Sequence, residues 1–182
     1  MNILNQNDAI FLVIDVQERL LNAVFNKELV AKKTSILSAA LNLLEVPVFV
    51  TEQYPQGLGA TVEGIKSVLL DDAQYFEKTA FNALLNKDLE SAIKASGRKQ
   101  IIVCGIETHI CVHQTVADLI SKGFDVTVVN DACGSRTEFE YLNGIANMKA
   151  NGARIKTTEM VLFELLKGAR HPKFKEIQAL VK

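Results

Sequence analysis

The sequence is poor in the features that mark specialised chain classes. It holds three cysteines, Cys104, Cys111 and Cys133, an odd number with no CxxC pair. Neither a disulfide framework nor a structural zinc site follows from that set. Charge imbalance is nearly absent, since 20 basic and 21 acidic residues give a net charge of -1. A chain that binds nucleic acid or an acidic membrane surface leaves a basic footprint, so neither partner is expected. No apolar run approaches membrane-spanning length, and the opening MNILNQNDAI has neither the basic nor the apolar region of a secretory signal. The expected compartment is the cytoplasm. Internal repeats, low-complexity tracts and linkers are also missing. So are the P-loop, the GxGxxG pattern, the GxSxG elbow of serine hydrolases and the HExxH zinc motif. No cofactor is expected.

What is present fits one α/β domain over residues 1–182. Of the 182 residues, 48% are hydrophobic and 23% charged, enough apolar material for a sizeable core. Ala9–Ile14 (AIFLVI) is uniformly apolar, as in a parallel strand buried on both faces. Asp15 follows at its carboxyl end, where open α/β sheets place their ligand crevice; a simple turn cap is the other reading of an Asp there. The spacing of Leu29, Ile36, Leu37, Ala40, Leu41 and Leu44 predicts a helix over 27–44 with one apolar side, stopped by Pro47. A strand over 48–50 leads into a loop over 51–59, read from its Pro and Gly content. An alternating strand over 73–78 ends at Lys78, and a lone lysine reads first as solvated surface. The rest continues as helix 86–96, strand 101–104, helix 108–122, strand 124–130, helix 137–151, strand 154–158 and helix 159–166. A Lys/His-rich tail after Gly168 is expected at the surface. Such regular alternation argues for a doubly wound parallel sheet.

The stretch 101–112, IIVCGIETHICV, carries the chemistry. A strand runs into Gly105, and a short turn opens a helix with Cys111 in its first turn. Unpaired N–H groups and the positive end of a helix dipole converge at such a place, and a thiol there is expected to have a lowered pKa. An inert core cysteine is the competing reading, and it suits Cys104 and Cys133 better. His109, Cys111 and His113 follow at i, i+2 and i+4, but i and i+2 point to different sides of a helix, so no metal site is expected.

The blocks FLVIDVQERL, VTEQYPQGLGATV, FEKTAFNA, GIETHICVHQTVADL, VVNDACGSR and TTEMVLFELL, taken in order, resemble the isochorismatase-like cysteine hydrolases. The resemblance covers nearly the whole chain and is nearest to the small single-domain members. It implies a doubly wound three-layer sandwich with a six-stranded parallel sheet of order 3-2-1-4-5-6. It maps a catalytic aspartate, lysine and cysteine onto Asp15, Lys78 and Cys111. It also implies a cis peptide at Ile106–Glu107 and an oxyanion site from the N–H groups of Glu107 and Cys111. Tyr54, Phe81 and His109 are pocket walls by position. Nicotinamidase members carry a DxHP-type metal site after the second strand. Here that stretch is Thr51-Glu52-Gln53-Tyr54-Pro55, with no histidine before His109, which implies a metal-free branch. The implied activity is hydrolysis of a small amide or related C–N bond through a Cys111 thioester. A homo-oligomer acting on a small molecule is implied as well. An idle binding scaffold of the same fold and a redox-sensing thiol protein are the alternatives.

Overall fold

The computed structural model describes residues 3–182. Six strands, β1 (Ala9–Ile14), β2 (Val48–Gln53), β3 (Gln74–Lys78), β4 (Gln100–Ile106), β5 (Asp125–Gly134) and β6 (Arg154–Lys156), form one parallel sheet in the order β3-β2-β1-β4-β5-β6. The principal helices are α1 (Glu18–Asn22), α2 (Lys27–Leu43), α3 (Pro55–Leu58), α4 (Glu63–Lys66), α5 (Lys87–Ala95), α6 (His113–Ser121), α7 (Glu138–Ala150), α8 (Thr158–Leu166) and α9 (Phe174–Val181). Right-handed crossovers in this strand order place helices before and after the reversal on opposite faces. Accordingly α2 packs with α4, α8 and α9, whereas α6 packs with α7. This is the expected doubly wound sandwich.

The central strands β1 and β4 are buried along their whole length, which their apolar runs permit because helices cover both faces. Phe11, Ile10, Leu12 and Ile101 are among the largest fully buried side chains, each contributing roughly 1.5–3 kcal/mol by leaving water. The edge strand β3 leaves Gln74, Tyr75 and Glu77 exposed, which explains its alternating sequence.

Several local expectations are corrected. The inner stripe of α2 is Val30, Thr34, Leu37, Ser38, Ala40 and Leu41, while Leu29 is exposed. Leu29 lies one residue, about 100° of helix, off that stripe. β2 continues through Thr51, Glu52 and Gln53, because Thr51 and Gln53 still pair with Phe76 and Lys78 of β3. β5 likewise runs on to Gly134 after an irregularity, with Cys133 beside Gly105 and Gly134 beside Ile106. β6 stops at Lys156, so Thr157 and Thr158 cap and begin α8 rather than ending a strand. The tail after Gly168 is not merely surface. Phe174, Ile177 and Val181 form an i, i+3, i+7 stripe on α9; Ile177 is fully buried and Phe174 meets Phe163 edge-on.

Candidate active site

The reversal of strand order falls between β1 and β4, and the crevice of an open α/β sheet lies beyond the carboxyl ends of the strands there. Gly105 lets the two strands meet. Its φ is +129°, and a Cβ at that position would lie 2.0 Å from the Ile14 carbonyl oxygen. Immediately after Ile14, Asp15 takes a left-handed backbone (φ +53°) that turns the chain out of the sheet. Such a conformation is uncommon outside glycine and clusters at functional sites.

Asp15 is fully buried, and both carboxylate oxygens are engaged. Oδ1 accepts from the Thr51 hydroxyl at 2.7 Å. Oδ2 accepts from Lys78 Nζ at 2.6 Å, forming an ion pair whose side chains are 1% and 0% exposed. Lys78 is therefore not solvated surface. Its Nζ also donates to Gln53 Oε1 at 2.7 Å and to the carbonyls of Ala80 and Phe81 at 3.2 and 3.4 Å. Lys78 closes β3, and β2 lies between it and β1, so the lysine side chain spans two strand spacings to reach Asp15.

Cys111 completes the group. Thr108–Val112 forms a π-type turn before α6, with Glu107 O accepting from Ile110 and Val112 N–H. The Cys111 carbonyl accepts from the Thr115 hydroxyl at 2.7 Å, and that hydroxyl accepts from Ala83 N–H at 2.9 Å. These bonds tie the thiol's backbone to the segment that follows Lys78. Gly144 of α7 backs the turn, where a Cβ would stand 3.0–3.1 Å from Thr108 and His109. The Ile106–Glu107 peptide is cis.

The expected acidity of Cys111 is overturned. Burial first, then the Asp15 charge, push its thiol up to about 12, while Lys78 pulls it down; both residues also act on it by side-chain hydrogen bonding. The dipole expectation is outweighed by burial, since Cys111 sits in the π-type turn ahead of α6 with only 7% of its surface exposed. The site thus sets a buried thiol, its pKa raised, beside a buried ion pair.

The other candidate residues are spread more widely. Tyr54 lies beside Lys78 across a hollow also lined by Pro55, Glu77 and Thr79, with its ring over Gly57. Phe81 is exposed, and only its carbonyl reaches Lys78. His109 turns elsewhere. Its Nδ1 meets Ser135 Oγ at 3.0 Å, and its Nε2 faces Glu140 at 4.0 Å, in a hollow with His113, Asn143 and Asn147. Glu107 accepts from Arg136 Nε at 2.9 Å. Among the described residues, no group of three or more His, Cys, Asp and Glu side chains is arranged to hold a metal. Sequence reading missed Thr51, Gln53 and Gln17. Gln17 accepts from Gln53 N–H at 2.7 Å and donates to the carbonyls of Gln53 and Gly59. The usable signal was the β-branched and aromatic run VFVT, with no breaker until Pro55.

A doubly wound α/β protein with a carboxylate, an ammonium and a thiol gathered at its switch point is the class these features define. The Isochorismatase domain model matches residues 9–160, and the chain belongs to the isochorismatase family. Isochorismatase domain-containing protein 2 of Xenopus laevis is 39% identical over 179 residues, covering 98% of this chain and 85% of that protein. The structure of MAR1 ribonuclease from Caenorhabditis elegans superposes with a TM-score of 0.93 at 34% identity, covering 99% of this chain and 92% of the other. The YcaC gene product of Escherichia coli, described as an octameric hydrolase of unknown specificity, gives 0.89 at 28% identity, covering 98% and 96%.

Proposed function

We propose that the protein is a cysteine hydrolase that cleaves a small amide or related C–N bond. The observation that carries this reading is the buried Asp15–Lys78 ion pair acting on the Cys111 thiol. Burying two charges costs several kcal/mol, so a pair retained beside a thiol calls for a use. In the proposed reaction Asp15 takes the thiol proton as Cys111 sulfur attacks the carbonyl carbon. The negative charge passes from carboxylate to sulfur, and Lys78 faces it before and after. The oxyanion is received by the N–H groups of Glu107 and Cys111. Asp15 then gives its proton to the leaving amine, the C–N bond breaks, and a thioester forms. Water, deprotonated by Asp15, attacks that thioester and releases the acid and the Cys111 thiol.

Tyr54 and Phe81, each more than half exposed, are assigned to the rim of the substrate pocket. His109 is assigned there only as a more distant wall. The exposed apolar residues Phe139 (72%) and Leu142 (55%), with the octameric state of the YcaC relative, support a homo-oligomer. Three free cysteines fit a reducing compartment, and we assign the cytoplasm. The ribonuclease name of the nematode relative does not transfer, because a net charge of -1 offers no footprint for RNA. A redox-sensing thiol is acidic and widely exposed, whereas Cys111 is pushed up to about 12 and keeps only 7% of its surface.

The test is a panel of small aliphatic and aromatic amides, with released amine measured for the parent and for Cys111→Ala. The reading stands if the parent turns over a panel member and Cys111→Ala does not. It fails if Cys111→Ala hydrolyses that substrate as fast as the parent.

A further inference from the structure

We infer that Gln53 is a positioning residue, whose side-chain amide holds Lys78 in place as a fixed cation while the thiol proton moves to Asp15. This rests on the hydrolase reading of Cys111, but it can be tested without a substrate.

Strand periodicity supplies the starting point. Thr51 and Gln53 are two apart on β2 and point to the same face of the sheet. One donates to the base, and the other accepts from the cation. The amide of a glutamine has two ends of similar shape, so its orientation must come from its partners. Thr79 O can only accept, and it lies 2.7 Å from Gln53 Nε2. The amide oxygen is thereby left facing Lys78. The backbone of Gln53 is clamped as well, by reciprocal bonds with the fully buried Gln17.

Lys78 Nζ consequently meets four acceptors: Asp15 Oδ2, Gln53 Oε1 and the Ala80 and Phe81 carbonyls. An ammonium serves this shell when its three N–H donors go to Asp15, Gln53 and, shared, the two longer carbonyl contacts; the lone pair of a neutral amine would point at an acceptor. Lys78 is thus a donor throughout, and the mobile proton belongs to Cys111 and Asp15. The need for Gln53 arises during that transfer. Once Asp15 is protonated, the charge that drew Lys78 is gone, and the two remaining carbonyl contacts are the long ones. Gln53 then keeps Nζ facing the new thiolate.

The experiment follows Cys111 alkylation by iodoacetamide across pH, located by peptide mass mapping, on the full chain and on Gln53→Met and Gln53→Glu. Gln53→Met keeps the shape and removes both polar ends. It is expected to slow Cys111 alkylation about tenfold at a given pH, the effect of moving a titration by one unit, with little change in melting temperature. Gln53→Glu still accepts from Lys78 but adds a negative charge and loses the donor to Thr79, so it is expected to react at least as slowly. A residue that merely fills space would be replaced by Met without loss. Parent-like alkylation in either folded variant overturns the inference. If Gln53→Met does not fold, Gln53→Glu decides alone. The two readings fail separately: parent-rate alkylation in either folded variant removes the role of Gln53, whereas absent amide turnover by a reactive parent removes the hydrolase.

Discussion

Cys111 and Cys133 are two buried thiols, both with a raised pKa, in different surroundings. Burial pushes each up to about 12. For Cys133, buried beside Gly105, the other influences are that residue's N–H, which lowers the value, and the Asp131 charge, which raises it. Cys104 is raised by burial and by Cys133 and Asp131, with the Thr34 hydroxyl 3.8 Å from its sulfur lowering it. Asp131 is ion-paired with Lys33 at 3.6 Å, but no cation is among the groups that act on Cys104 or Cys133. Cys111 has both a carboxylate and a cation, Asp15 and Lys78, and its residue keeps 7% of its surface where Cys104 and Cys133 keep none. Resting acidity does not separate the two thiols; the neighbouring carboxylate, the counter-charge and the residual exposure do, and on these the proposed role of Cys111 rests.

The comparison breaks most visibly on substitution of the thiols. Cys111→Ser is expected to lose turnover of a confirmed amide by a factor on the order of 10³ or more, as removal of a nucleophile does. Cys133→Ser should keep turnover and instead lower stability by about 1–3 kcal/mol, through a buried hydroxyl in an apolar site. Steady-state rates and urea unfolding of both variants check the pair of outcomes.

A second effect separates the ion pair from the thiol. Asp15→Asn leaves the Lys78 ammonium buried without its counter-charge, and a cost of about 3–5 kcal/mol is expected. The double variant Asp15→Asn with Lys78→Met removes both charges and should regain much of that loss without regaining activity. Urea midpoints for the single and double variants decide it.

A third effect, a pH dependence, is one that Cys104 shares with these two thiols. Cys111 and Cys133 have folded-state values near 12, against about 9 for an ordinary cysteine. Between those limits the folded chain binds more protons than the unfolded one, so stability falls as pH rises. The contribution is complete below pH 9 and is lost between pH 9 and 12. Urea unfolding at pH 8 and pH 10.5 should show the decline, and Cys133→Ala should shallow it.

The sheet could be read from the sequence because Ala9–Ile14 and the run before Gly105 are apolar enough to admit only doubly covered strands. Asp15 and Cys111 were visible as chemistry at strand ends, although only the family likeness lifted Lys78 above a surface lysine. Thr51 and Gln53 were hidden by Pro55, Gly57 and Gly59, which made a loop of the whole stretch although strand pairing continues to Gln53. α9 was hidden by its lysines, which flank the stripe of Phe174, Ile177 and Val181. The acidity of Cys111 was misjudged because a helix start can be located from sequence, while the depth of burial and the balance between Asp15 and Lys78 depend on strands far apart in the chain.

The most direct measurement is acylation by p-nitrophenyl acetate, an activated acyl donor, followed by intact mass and peptide mapping on the parent and on Asp15→Asn. The parent is expected to carry one transient acetyl group, on Cys111, that water removes, and Asp15→Asn is expected to carry none there. Acetylation on another residue, or equal labelling of Cys111 in both proteins, would contradict the assignment of Cys111 as a nucleophile served by Asp15.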